Sequence, residues 1–117
     1  MGNEKNLALT IKSALVTGGG GFVGRAVVKN LADLGVETRV IGRHSYPEVA
    51  AMGARCLIGS IADEKIMDRA TDGVDIVFHI AALAGIWGPW KTYHETNVLG
   101  TEQVIRSCRK NRVPMLV

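Results

Sequence analysis

Glycine occupies positions 18, 21 and 24 of the run Thr17-Gly18-Gly19-Gly20-Gly21-Phe22-Val23-Gly24, a G-x-x-G-x-x-G spacing. The apolar Ala14-Leu15-Val16 before it reads as a buried strand. After it, Val23, Ala26, Val27, Asn30, Leu31 and Leu34 recur at helical spacing. Strand, glycine loop and helix in that order suit one chemistry, the holding of a dinucleotide pyrophosphate. Gly18 would allow the tight turn out of the strand. Gly21, lacking a Cβ, would let the loop backbone approach the phosphates, and Gly24 would let the helix pack close against the strand. The free N–H groups at the helix start, where Phe22 and Val23 lie, carry the positive dipole end toward the anion. An ordinary glycine turn is the plain alternative, and the matching elements on both sides count against it. Arg25-Ala26 follows Gly24 where a Walker loop would carry G-K-[S/T], so that class is excluded.

The end of the second strand bears on which dinucleotide fits. The stretch Gly42-Arg43-His44-Ser45 has no carboxylate to accept hydrogen bonds from a ribose 2′-hydroxyl. Arg43, with Ser45 beside it, can pair with a 2′-phosphate, so NADP is the favoured cofactor and NAD the alternative. A solvated loop arginine is the plain reading of Arg43. Asp63 reads equally as a helix N-cap or a ligand group. His79 reads as a satisfied strand histidine and is given no catalytic role. Asn97, Val98, Thr101, Val104, Ile105 and Cys108 are expected to form one inward stripe, on which a buried Asn97 needs a hydrogen-bond partner.

These residues are carried by alternating elements. Strands are expected at 13–16, 37–41, 54–58, 75–80 and 113–117. Helices are expected at 22–34, 48–52, 62–70 and, longest, 91–110. Alternation implies an α/β fold: a Rossmann-type doubly wound parallel sheet with right-handed crossovers, in strand order 3-2-1-4-5. A ligand would lie across the switch point between strands one and four. Met115-Leu116-Val117 reads as half a strand, so the sheet is expected to be truncated at its fifth strand and residues 1–117 to be the N-terminal part of a longer enzyme.

Composition agrees with a single small domain of 117 residues, 47% hydrophobic and only 5% aromatic, in which glycine and small apolar residues suit tight layering. Fourteen Lys and Arg against eleven Asp and Glu leave a net charge of +3. The late cations Arg106, Arg109, Lys110 and Arg112 suit the C-terminal end of a helix. No aromatic interleaving accompanies them, so no nucleic-acid partner is expected. Cys56 and Cys108 have no metal-type spacing and are expected to be reduced core residues. No run approaches membrane-span length and residues 1–12 lack a signal-peptide core, so a cytoplasmic protein is expected. The myristoylation pattern fails because residue 6 is Asn.

The T-G-x-x-G-x-x-G loop, together with Asn97-Val98-Leu99-Gly100-Thr101, resembles the extended short-chain dehydrogenase/reductases, including 3β-hydroxysteroid dehydrogenases, epimerases and dehydratases. The resemblance spans nearly the whole chain. In that family Gly-Asp-x-x-Asp often follows the third strand and its first Asp contacts adenine. Here Ser60 stands in that place, followed by Ile61, so one hydroxyl hydrogen bond replaces the carboxylate. The pair Ala81-Ala82 after His79 matches a family element beside the cofactor, where small side chains let a dinucleotide lie flat. An Asn at the place of Asn97 props the active-site geometry in the wider family, while tying helix to sheet is the structural alternative.

Gly42-Arg43 with Tyr46-Pro47-Glu48, and the loop Ala84-Gly85-Ile86-Trp87-Gly88-Pro89-Trp90, look like bacterial 2-alkyl-3-oxoalkanoate reductases. That likeness implies reduction of a ketone to a secondary alcohol on an acyl or polycyclic small-molecule substrate. Trp87 and Trp90 would line an apolar substrate mouth or anchor the loop. Family catalysis uses Tyr-x-x-x-Lys with an upstream Ser or Thr. Here Tyr46 is followed four residues on by Ala50, and Tyr93 by Asn97. No catalytic residue is therefore assigned within the chain, beyond a supporting role for Asn97, and the chain alone is expected to be inactive. A nucleotide-sugar epimerase or dehydratase, and a non-catalytic dinucleotide sensor, are the alternatives. Relatives often dimerise through the long helix, which implies a homodimer for the longer protein.

Overall fold

A computed structural model of the chain describes residues 11–80 and 95–117. Its centre is β1 (Ser13–Thr17), buried along its whole length. Parallel neighbours flank it: β2 (Glu37–Gly42) on one side and β4 (Ile76–His79) on the other. Beyond them lie β3 (Arg55–Ile58) and the short β5 (Met115–Leu116). The order β3-β2-β1-β4-β5 is the one the alternation of elements implied.

Side chains alternate across a strand, and this divides the core between two faces. Ala14 and Val16 pack with Val28 and Leu31 of α1 (Phe22–Asp33) and Val49 of α2 (Pro47–Ala51). Leu15 and Val77 pack on the opposite face with Met67 and Ala70 of α3 (Glu64–Thr71) and Val104 and Cys108 of α4 (Gly100–Lys110). Both faces are thus covered, as a parallel sheet requires. Cys56 packs against the first cluster and Cys108 is buried in the second, so the sheet separates two free thiols. Burial pushes the Cys108 thiol up from its ordinary value.

Local chemistry explains where the helices start and stop. Asp63 accepts hydrogen bonds from the Lys65 and Ile66 N–H groups at 3.0 and 3.4 Å, which makes it the N-cap of α3. The helix therefore begins two residues later than expected from the sequence. Gly35, at φ +76, ends α1, and the Val36 N–H reaches back to the Leu31 carbonyl at 3.0 Å. The same closure ends α4, where Val113 N–H donates to Cys108 O at 2.8 Å, but its left-handed residue is Arg112, at φ +53.

The fourth helix departs from expectation. It is regular only from Gly100, after a π-helical turn at Glu95–Leu99, and residues 91–94 lie outside the described residues. Its inward face is Gly100, Gln103, Val104, Ser107 and Cys108. Asn97, Val98 and Ile105 are exposed, so the expected inward stripe through Asn97 is corrected. The cause is the wide turn: one extra residue per turn shifts the facing direction by about 100°, which a 3.6-residue period does not anticipate.

Candidate functional site

The chain leaves β1 toward one face of the sheet, and the helix following β4 lies on the other. The carboxyl ends of β1 and β4 therefore flank a crevice at the switch point. Thr17 and His79 are partners across that pair of strand ends. The glycine loop leaves from Thr17.

Each glycine of the loop has its own cause. Gly18 takes φ +75 and turns the chain. A Cβ on Gly19 would lie 2.5 Å from Val40 Cγ1, and one on Gly20 would overlap the Tyr46 ring. A Cβ on Gly24 would overlap the Gly18 carbonyl and sit 2.7 Å from its carbon. The helix thus packs on the turn itself rather than on the strand. Gly21 differs, because among the described residues its Cβ would meet nothing closer than the Gly18 oxygen at 3.5 Å, an ordinary contact. Its backbone is extended at φ −80, which any residue adopts. Nothing among the described residues requires glycine at 21, and the space beside it is what a closely approaching phosphate would use. As N-cap, Gly21 has no side chain to bond the first-turn N–H groups of α1, which leaves those donors to water or an anion. Phe22 is 85% and Val23 58% exposed there, an apolar pair uncovered at the mouth of the crevice.

Beneath the loop, the His79 ring bridges three elements. Its Nδ1 lies 2.8 Å from Thr17 Oγ1 and its Nε2 lies 2.8 Å from Thr101 Oγ1. The Ile80 N–H also donates to Thr17 Oγ1 at 3.0 Å. A neutral imidazole has one donor and one acceptor, and a hydroxyl can serve either. Burial lowers the pKa of His79 below the ordinary 6.5, which favours that neutral form. His79 is the satisfied strand histidine expected from the sequence, and it braces β1 and β4 against α4.

At the end of β2, the Tyr46 ring packs against both Gly20 and Gly42. Beside it a cavity of about 160 Å³ is lined by Gly20, Arg25, Ser45, Tyr46, Pro47 and Glu48. Arg25 and Glu48 form an ion pair across it. Arg43 is exposed just beyond Gly42. The Gly59 N–H donates to the Gly42 carbonyl at 2.8 Å, which brings the start of the Gly59-Ser60 turn to the same end of the sheet. Ser60 Oγ accepts from Ala62 N–H at 3.1 Å and keeps its own O–H to donate. The side chain of Ile61 is in the core, 7% exposed, so any contact it makes to a ligand is through its backbone.

The structure thus brings Gly18, Gly21, Phe22, Val23 and Gly24 together at the β1 end, with Arg43 and Ser60 at the neighbouring β2 and β3 ends. Asn97 stands exposed on the π-helical turn. Ala81, Ala82, Trp87 and Trp90 lie outside the described residues. Sequence reading missed Arg25 and Tyr46 as parts of the site. Arg25 directly follows Gly24, a signal that was available, whereas the ring stacking of Tyr46 was not.

No three His, Cys, Asp or Glu groups among the described residues are placed to hold a metal ion. No helix among them is long and apolar enough to cross a membrane.

Residues 15–117 match the 3-beta hydroxysteroid dehydrogenase/isomerase family. A 2-alkyl-3-oxoalkanoate reductase of Stenotrophomonas maltophilia is 44% identical over 103 residues, 88% of this chain and 31% of that protein. The chain spans about a third of the length of the curated relatives it matches. Among solved structures, a UDP-glucose 4-epimerase from Thermotoga maritima superimposes with a TM-score of 0.80 at 30% identity, over 89% of this chain and 36% of that one. MoeE5 in complex with UDP-glucuronic acid and NAD does so with a TM-score of 0.78 at 27% identity, over 89% and 35%.

Proposed function

The chain belongs to the 3-beta hydroxysteroid dehydrogenase/isomerase family, and from that premise we propose that residues 1–117 are the dinucleotide-binding part of an NAD(P)-dependent oxidoreductase. The observation that carries this reading is Gly21, which among the described residues neither a packing contact nor a positive φ requires to be glycine, next to exposed Phe22 at the switch point. The first turn of α1 would bind the pyrophosphate, with Gly18 and Gly24 fixing the loop against it. Ser60 and the backbone of Ile61 would bound the adenine side, and Ala81 and Ala82 would continue the floor. Arg43 and Ser45, with no carboxylate after β2, favour NADP over NAD.

A nicotinamide dinucleotide held there supplies a hydride to a carbonyl or accepts one from a secondary alcohol. The substrate of the whole protein is proposed to be a ketone on an acyl or steroid-like carbon skeleton, in keeping with the name of the 44% identical relative. No tyrosine of this sequence has lysine four residues on. The chain by itself is therefore proposed to bind the dinucleotide without turning over substrate. Nucleotide-sugar epimerisation is the second reading, favoured by the fit to the UDP-glucose 4-epimerase.

Titration of the chain with NADPH and NADH, followed by nicotinamide fluorescence, tests the proposal. Saturable binding with NADPH the tighter ligand is expected, and no oxidation of NADPH on adding a 2-alkyl-3-oxoacyl compound. Absence of binding to either dinucleotide contradicts the binding reading, and ketone-dependent oxidation by these residues alone contradicts the inactive-fragment reading.

A further inference from the structure

Away from the glycine loop, arginines from three elements line one cavity of about 200 Å³: Arg39 of β2, Arg55 of β3 and Arg69 of α3, with Leu57 and Asp72 completing the wall. Arg39 and Arg55 are register partners, so their side chains leave the sheet on the same face. Arg55 opens β3, the edge strand, and Arg69 stands in the last turn of α3. The cavity therefore lies toward the amino ends of the strands, whereas the crevice is at their carboxyl ends. Arg39 is fixed in place. Its side chain is 17% exposed, and its Nη1 donates to the Ala70 and Asp72 carbonyls at 3.2 and 2.7 Å, where α3 ends. Its Nε lies 3.4 Å from Glu37 Oε1. The N–H groups on its Nη2 have no partner among the described residues. Arg55 and Arg69 are exposed, and neither guanidinium makes a hydrogen bond or ion pair among the described residues. Asp72 forms no ion pair with any of the three among those residues. With Glu37 and Asp72 set against the arginines, the cavity keeps a net positive charge.

We infer that this cavity binds a phosphate group, free or carried as a phosphomonoester, at a site separate from the dinucleotide crevice. Guanidiniums are planar forks that take oxyanions in paired hydrogen bonds. A phosphate has enough oxygens to meet forks arriving from three elements at once. A single carboxylate has two oxygens and is filled by one fork, so the number of arginines selects phosphate. Arg39, already held by the carbonyls at the end of α3, loses little freedom in binding. Arg55 and Arg69 close on the anion from the edge strand and from the helix. Asp72 opposes the anion as a like charge and keeps the affinity modest. Leu57, partly buried against the core, offers apolar surface to the carbon group of an ester. An anion held this way ties β2, β3 and α3 together, and its occupancy stabilises the folded chain by linkage. Nothing in this depends on how the glycine loop is read.

The experiment titrates the isotope-labelled full chain with inorganic phosphate, glycerol phosphate and acetate at neutral pH and constant ionic strength, following backbone amide and arginine Nε–H resonances. Saturable shifts are expected at Arg39, Arg55 and Arg69 with both phosphates, and acetate should bind about tenfold more weakly or worse. Arg55→Gln and Arg69→Gln should each weaken phosphate about three- to tenfold, and the double variant should lose saturable binding. Both side chains are exposed, and thermal unfolding verifies that the variants are folded. Arg106→Gln, on the outer face of α4, removes the same charge elsewhere and should leave phosphate binding within about twofold. Equal affinities for the two phosphates assign the site to the free anion, and a tighter ester assigns it to a phosphomonoester whose carbon group rests on Leu57. Shifts confined to the amides of the glycine loop, a response that never saturates, acetate binding as tightly as phosphate, or Arg106→Gln matching Arg55→Gln would each overturn the inference.

Discussion

The seam between α3 and α4 and the crevice above β1 are finished to different degrees. In the seam, Asp68 accepts from Ser107 Oγ at 2.8 Å and from Lys110 Nζ at 2.7 Å. Asn111 Nδ2 donates to the Asp68 carbonyl and to Thr71 Oγ1, both at 2.8 Å. Gln103 donates to Ser107 Oγ at 3.0 Å, and Thr71 Oγ1 donates to the Met67 carbonyl at 2.8 Å. Among the described residues no buried side-chain nitrogen or oxygen lacks a partner. The crevice is the opposite. It has an uncapped helix start, a glycine with space beside it and a phenylalanine in solvent. A fold that satisfies its polar groups so completely on one side leaves donors and apolar surface open where a ligand would complete them. With the seam serving stability and the crevice serving the proposed binding, substitutions should separate the two.

Gly24→Val should break both at once and have the largest effect. Its side chain would run into the backbone of the Gly18 turn, which cannot rotate away. A loss of about 3 kcal/mol in denaturant unfolding is expected, together with loss of measurable NADPH binding. Thr71→Val should break the seam alone. The hydroxyl is fully buried, and removing it leaves Asn111 Nδ2 one acceptor short. About 1–2 kcal/mol should be lost, with the dinucleotide Kd unchanged for the folded protein.

Arg112→Gly sharpens the contrast from the stabilising side. Glycine carries no Cβ penalty at φ +53, so a gain of about 1 kcal/mol is expected by the same unfolding measurement, again without effect on binding.

Acid should act on both regions with a shallower effect. The His79 ring is held below its ordinary 6.5 by burial, so the unfolded chain takes up a proton first. Stability is level above pH 6.5 and declines as pH falls below it, and a His79→Gln variant should flatten that decline. The hydrogen bond from Lys110, then that from Ser107, holds the Asp68 carboxyl below its ordinary 3.8. Its stabilising effect is therefore present above pH 3.8 and is lost as pH falls further. Unfolding midpoints recorded from pH 8 to pH 3 separate the two steps.

Much of this was legible in the sequence, for local reasons. Strand order follows from alternation and the Gly18 and Gly24 constraints from spacing, while the residue type of Asp63 left a cap and a ligand group equally open and the structure makes it the cap. What was hidden depends on distant partners or broken periods. His79 meets Thr17 across 62 residues, and Arg25 meets Glu48 across 23. No local pattern announces either. Gly19 and Gly20 look like filler in the motif, yet their absent side chains make room for Val40 and Tyr46. Asn97 was misplaced because a π-helical turn breaks the very period used to place it.

The measurement that bears most directly on the central claim is NADPH binding by Gly21→Ala, read beside its melting temperature. The fold has room for that methyl group and the backbone conformation suits alanine. The account expects a melting temperature within a few degrees of wild type, since an N-cap Gly→Ala change costs about 1 kcal/mol or less, with NADPH affinity reduced about tenfold or more. A variant that melts like wild type and binds NADPH as tightly would contradict the claim that the glycine loop is the dinucleotide site.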